Sequence, residues 1–252
     1  IFGIGLCIIG EVKFVILLSP IFLAWVWLSP SYVKDVSKVN LKTLLVIVAG
    51  MLLLISLSIV ILAYYYSTAF GGDPSKSSLS IFIDSLSYIF DPNYIMSTGE
   101  LGRFTTFLFW LKNNDLWGLS GTLFGYGLNA TNSGSTVSPG FLNIIYNLIL
   151  DSTSLSMLLW EVGAIGTLLF VSLFIYILKV CQPKPLLRLE QLDQQDLQLL
   201  SFAPAFNAFA ISCLISLPYS QILMITPMLQ FLFYLSLGAS LVIRRTVLRC
   251  VG

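Results

Sequence analysis

Apolar positions in this chain fall into long runs, not into alternating or short amphipathic patterns. Residues 41–64 read LKTLLVIVAGMLLLISLSIVILAY, with Lys42 as their one charge. Comparable runs occupy residues 155–180, 197–217 and 222–243. A further run at 14–28 is preceded by residues 1–12, apolar but for Glu11, which read as an additional partial span. A helix needs about 20 such residues to cross a bilayer. A membrane β-barrel would instead show ten-residue segments of alternating polarity. The pattern therefore predicts an all-α, polytopic helical membrane protein with about five transmembrane helices.

The predicted division is 1–64 (spans one and two), 65–154 (one large outer loop) and 155–252 (spans three to five with a connector and tail). The loop is rich in aromatic and aliphatic residues, so it can bury surface and fold. Helical spacing of its apolar residues predicts short helices at 79–90, 103–111 and 141–150. In the second, Phe107 and Trp110 stand at i+4 and i+7 from Arg103, on one face. The glycine-rich stretch GTLFGYGLNATNSGS reads as turns. Pro218-Tyr219-Ser220-Gln221 makes a tight hairpin between the last two spans, and Pro204 and Pro227 kink or start those helices. The connector QPKPLLRLEQLDQQDLQLL reads equally as a surface amphipathic helix or a solvated linker.

Charge supplies the orientation. Lys34, Lys38 and Lys42, then Lys179, Lys184 and Arg188, then Arg244, Arg245 and Arg249 all fall on one side of an alternating topology. By the positive-inside rule that side is cytoplasmic. The long loop then faces outward, with three cations against six carboxylates. Only 10% of the chain is charged, where a soluble domain carries about 25%. A net charge of +1 gives no reason to expect a nucleic-acid partner. With no His and no CxxC, neither a metal site nor a cofactor is expected. The first residues are apolar and lack Met, which reads as a fragment whose N-terminal spans are missing.

Several residues carry candidate chemistry, each beside a plainer reading. Arg103 is the one arginine of the outer loop and opens an apolar helix, where the dipole disfavours a cation. It is either functional or salt-bridged to Glu100. Gly125-Tyr126-Gly127 begins a G-x-G-x-x-G, but Ala130 fills the last position and no strand precedes it. The turn either aims backbone N–H groups at an anion or is purely structural. Asp151 is a candidate carboxylate or a cap for span three. Glu161 lies about two turns inside that span, as a functional group or as a helix–helix hydrogen bond beside Gly163 and Gly166. Lys13, next to Glu11, is a binding residue or half of an interfacial anchor pair. Asn129-Ala130-Thr131 is formally a glycosylation acceptor and is discounted.

The order R…W…NNDLWG…LFGYG…D-S…E-x-G-x-x-G resembles the O-antigen polymerase and O-antigen ligase superfamily, bacterial inner-membrane enzymes that assemble or transfer lipid-linked polysaccharide. The resemblance covers residues 99–170, with GEVKF at 10–14 similar to a span-end motif of the family. Spans four and five match in topology alone. The resemblance implies a glycosyltransferase of the inner membrane that uses an undecaprenyl-diphosphate-linked glycan, without a cofactor. Arg103, Asp151 and Glu161 would be its catalytic residues. Lys13, Trp110, Gly125, Tyr126, Gly127 and Asn129 would bind substrate, with Trp110, Trp117 and Tyr126 offering ring faces to sugars or shaping a lipid entrance. Membrane lipid and a chain-length regulator or other assembly protein are the implied partners. The ligase branch carries His-Asn ahead of E-x-G-x-x-G, whereas this chain has Asp151-Ser152-Thr153-Ser154. That departure favours polymerase, with ligase the alternative. A transporter is the third reading, though no internal repeat is visible.

Overall fold

In a bilayer the backbone must satisfy its own hydrogen bonds, and long apolar runs do so as helix. A computed structural model of the chain describes residues 41–69, 87–134, 138–182 and 194–251, with Val26 and Ser80 as isolated helical positions. Lys13, most of the expected first span and most of the 79–90 helix lie outside the described residues. Among those described, the architecture is all-helical and has no strand. There are only two isolated bridges, Ile95 with Leu101 and Glu100 with Ile149.

The helices are α1 (Leu41–Ala69), α2 (Ser87–Phe90), α3 (Arg103–Asn113), α4 (Leu119–Phe124), α5 (Phe141–Tyr146), α6 (Ser154–Glu161), α7 (Gly163–Val180), α8 (Gln194–Ser201), α9 (Ala203–Ser216), α10 (Ile222–Ile225) and α11 (Pro227–Val251). Among the described residues three stretches are long and apolar enough to cross a membrane: Gly163–Val180, Gln198–Ser216 and Pro227–Thr246. A shorter apolar stretch, Leu45–Ile61, lies within α1, where the second span is expected.

The expected third span is two helices. Thr153 caps α6, accepting from the Ser156 N–H at 3.0 Å, so Asp151 is not the cap. The chain then breaks at Val162 and restarts at Gly163, whose φ is +73°. Glycine is needed there for two reasons. Its dihedral is left-handed, and a Cβ would strike the backbone of Leu123 and Gly125. The fourth expected span is interrupted at Phe202, two residues before Pro204, which has no N–H for the Leu200 carbonyl. In the fifth, Thr226 is extended and Pro227 opens α11, as the restriction on pre-proline residues and the fixed φ of proline favour. The connector forms helix α8 over Gln194–Ser201; residues 183–193 lie outside the description. In the loop, α5 stops at Tyr146 because Asn147 turns left-handed, φ +52°.

By contacts the chain divides into two units. The first comprises Ile1–Ser85, Pro183–Ala208 and Val242–Gly252; the second comprises Leu86–Gln182 and Phe209–Leu241. Among the described residues of the first, Leu200, Ala203 and Ile243 are buried together. The second has two cores. One gathers Phe174, Cys213, Leu223 and Phe233 from helices α7, α9, α10 and α11. The other gathers Trp110, Tyr126, Leu142, Leu150 and Trp160, almost entirely from the loop and α6.

Candidate functional site

The site is built on backbone ties that bring distant loop segments together. Tyr94 accepts from the Gly102 N–H at 2.9 Å, and its own N–H donates to Thr105 Oγ1 at 3.1 Å. The Thr105 hydroxyl donates to the Asp91 carbonyl at 2.8 Å. These bonds fix the start of α3. Next to it, the Ile149 N–H donates to the Gly99 carbonyl at 2.9 Å, laying residues 149–152 alongside. Arg103 therefore meets the segment after Ile149. Its Nη1 donates to the Ser152 carbonyl and lies 3.4 Å from Glu100 Oε1. The Tyr219 ring centre is 6.0 Å from its guanidinium carbon, the outer limit of a cation–π contact. The arginine that looks isolated in sequence is thus embraced by protein, and the expected Glu100 pair is present.

One short loop holds both candidate carboxylates. Asp151 is 3% exposed; its Oδ2 accepts from the Ser133 hydroxyl at 2.6 Å and the Ser133 N–H at 3.1 Å. Its Oδ1 is buried and has no hydrogen-bond partner. Glu161 Oε1 accepts from the Thr131 hydroxyl at 2.9 Å. Asn143 locks this arrangement from α5. Its Nδ2 donates to the Thr131 carbonyl at 2.8 Å and its Oδ1 accepts the Leu150 N–H at 3.2 Å. The 150–156 segment is tied in turn to the final hairpin. The Ser154 hydroxyl and N–H both donate to the Ser220 carbonyl, at 2.7 and 2.9 Å. Arg103 is thereby bonded to the carbonyl of Ser152, the residue after Asp151, and Asp151 and Glu161 are held by Ser133 and Thr131 of one short loop.

Other expected site residues have different places. The N–H groups of Gly125, Tyr126 and Gly127 donate to the carbonyls of Gly121, Trp160 and Glu161 at 2.9, 2.8 and 3.0 Å. They are consumed by the fold, which corrects the expectation that they point at an anion. Trp110 is buried and its Nε1 donates to the Leu159 carbonyl at 3.2 Å. Tyr126 is also buried, and its hydroxyl donates to the Asn114 carbonyl at 2.6 Å. Burial pushes its phenol above the ordinary value. Both rings are packing residues here, against the expectation that they offer their faces to sugars. Trp117 is more open, stacked on Phe141 with centroids 5.6 Å apart and planes 12° off parallel. Asn129 is exposed with φ +70°, a left-handed turn position.

Thr131, Ser133 and Asn143 are the residues that sequence reasoning missed. Ordinary polar side chains in a glycine-rich turn and a short helix give no local sign of what they will hold. Among the described residues no group of three or more His, Cys, Asp or Glu side chains converges as metal ligands do. Chemically, the site offers a buried carboxylate with one oxygen hydrogen-bonded and the other without a partner, and a guanidinium bonded to the carbonyl of the next residue.

No family model, curated protein or solved structure matches this chain.

Proposed function

We propose that this chain carries the outer-face site of a multi-pass bacterial inner-membrane glycosyltransferase, which joins undecaprenyl-diphosphate-linked repeat units into polysaccharide. An acceptor sugar hydroxyl attacks the anomeric carbon of the donor glycan. The bond from that carbon to the diphosphate oxygen breaks, and its electron pair leaves with the lipid diphosphate. Asp151 takes the hydroxyl proton, and Arg103 faces the charge gathering on the leaving group. Glu161 orders the 131–133 loop over Asp151.

The observation that carries this reading is the state of Asp151. A carboxylate this buried is costly unless it is fully hydrogen-bonded, yet one oxygen has no hydrogen-bond partner. It directly precedes the residue whose carbonyl Arg103 grips. A local rule broken one residue from a cation's backbone partner is what a functional site looks like.

The test is glycan chain length in cells that depend on this protein, with membrane levels checked. Asp151→Asn keeps shape and loses the base, so polymer should fall by about 10²–10⁴-fold. Arg103→Ala should lose roughly ten- to hundred-fold, the worth of one charge-assisted contact. Arg103→Lys should also impair activity, because an ammonium lacks the planar fork. Normal polymer from well-inserted Asp151→Asn would sink the proposal. Polymer of normal length left unattached in cells lacking the protein would indicate a ligase instead. Lipid-linked units trapped on the inner face would indicate a transporter.

A further inference from the structure

The loop's apolar surface has no explanation in the chemistry above. Residues 116–128, LWGLSGTLFGYGL, carry no charge. Within them Leu119, Phe124 and Leu128 are 78%, 68% and 81% exposed, and Trp117 is open beside them. This is not disorder of a loose turn. Gly121 faces the Tyr126 ring so closely that an added Cβ would stand 2.7 Å from its Cζ. That packing turns Leu119 and Leu123, one helical turn apart, to the opposite side of α4. Leu119 and Leu123 are thus held outward on a fixed backbone, while Phe124 at its end and Leu128 in the turn after it are exposed.

What they face follows from where α4 is fastened. Its last residues run directly against the start of α7, a membrane-spanning candidate. A Cβ on Gly125 would lie 2.6 Å from the Gly163 nitrogen, so the two backbones touch. The α7 helix has 18 residues, or about 27 Å at 1.5 Å each, close to the hydrocarbon thickness of about 30 Å. Its first residue therefore stands near one hydrocarbon boundary, and α4 stands at the same depth. Apolar side chains of α7, such as Leu168 and Leu169, are exposed as well. Polar residues lie on either side in sequence, Asp115 before and Asn129 after. A tryptophan at such a level is a usual interfacial anchor.

We infer that α4 and the turn after it form an interfacial membrane anchor. Leu119, Phe124 and Leu128 insert among the acyl chains of the leaflet at the Gly163 end, with Trp117 at headgroup level. The occupant of this surface is bilayer lipid. Interfacial insertions of this kind reach about 5–10 Å into the headgroup and acyl boundary. The inference needs only that α7 spans the membrane, and it stands whether or not the protein is a glycosyltransferase.

Spin labels on the full chain in phospholipid nanodiscs test it. In a background with Cys7, Cys181, Cys213 and Cys250 replaced, labels go on Phe124→Cys, Leu128→Cys and, as a control, Lys112→Cys, an exposed position on α3. Collision is compared between oxygen, which partitions into acyl chains, and a water-soluble nickel chelate. Oxygen should exceed nickel several-fold at 124 and 128, with the order reversed at 112. Nickel prevailing at 124 and 128 would place this surface in water and overturn the inference. Low collision with both reagents would mean a protein covers it, such as a second copy, and would overturn it equally. Should Phe124→Cys fail to accumulate, Leu128→Cys lies outside any helix and reads the same depth.

Discussion

The two cores of the second unit use the same residue types in opposite ways. In the helical core around Phe174 and Phe233, buried hydroxyls turn back on their own helix. Ser236 donates to the Phe233 carbonyl at 2.7 Å and Ser240 to the Ser236 carbonyl at 2.9 Å. Such local bonds satisfy a polar atom without fixing anything else. Around Trp160, Thr106 also turns back on Gly102, but other hydroxyls cross between segments. Ser133 reaches Asp151, Thr131 reaches Glu161, and Ser156 reaches the Leu150 carbonyl at 2.6 Å. Glycines there let backbones touch, as Gly125 and Gly163 do. The helical core is held by packing that tolerates replacement. The loop core is held by specific bonds, and its geometry is rigid enough to position chemistry.

The largest contrast should appear at glycine. Gly163→Ala puts a Cβ into neighbouring backbone at a left-handed φ and should cost roughly 2–4 kcal/mol. Ala210→Gly in the helical core should cost only about 1 kcal/mol, the propensity difference. Tryptophan fluorescence of the purified protein in denaturant reads this, because Trp110 and Trp160 lie in the loop core. Equal midpoints for the two variants would remove the distinction between the cores.

Hydroxyl deletion gives the next contrast. Ser133→Ala removes the hydroxyl donor to a buried carboxylate, leaving the backbone N–H bond, and should cost about 1–3 kcal/mol. Ser236→Ala removes a bond internal to its helix and should cost well under about 1 kcal/mol, because a helix-interior serine competes with its own backbone. The same denaturation measurement checks both. A Ser236→Ala cost matching that of Ser133→Ala would show that crossing between segments confers no special weight.

Sequence was a good guide to one core and a partial guide to the other, for a physical reason. Spanning helices are written in run length, so 155–180, 197–217 and 222–243 were legible, as was α3 from its spacing. Pro204 and Pro227 marked real interruptions. Gly163 did not announce its break. Inside an apolar run a glycine reads as a close helix contact, and its meaning depends on Leu123 and Gly125, some 40 residues away. The short helix α4 was hidden among turn residues. Arg103, Asp151 and Glu161 stood out because charge is rare in such a chain. Their holders Thr131, Ser133 and Asn143 did not, because hydrogen bonds between distant segments leave no periodic trace.

A smaller effect separates the cores by pH. Burial raises the phenols of Tyr126 and Tyr146 above their unfolded value of 10.0. Raised acids favour the protonated folded state, so their contribution is fully present below pH 10. It is lost as pH climbs through the raised folded-state values. Loop-core fluorescence should therefore lose its folded signature in alkali before the helical content does. Tyr126→Phe should widen the alkaline range, though it also removes the bond to the Asn114 carbonyl. Coincident alkaline loss of fluorescence and helicity, unchanged in Tyr126→Phe, would show that the phenol has no part in it.

The smallest effect concerns the pair that sequence alone offered as the plain explanation of Arg103. Its separation from Glu100 is 3.4 Å, and both side chains are partly open, 23% and 32% exposed. Exposed pairs of this sort are worth about 0–1 kcal/mol. Glu100→Gln should therefore lower stability by no more than about 0.5 kcal/mol and leave polymer length unchanged. The guanidinium would keep the Ser152 carbonyl, which orients it along the Asp151 segment without any help from a carboxylate. Arg103→Ala, by contrast, removes both that grip and the cation that the proposed reaction needs. If Glu100→Gln shortened the polymer as severely as Arg103→Ala does, the ion pair itself would be the functional unit. Arg103 would then be a positioning residue, and the cation facing the leaving diphosphate would have to come from elsewhere in the protein.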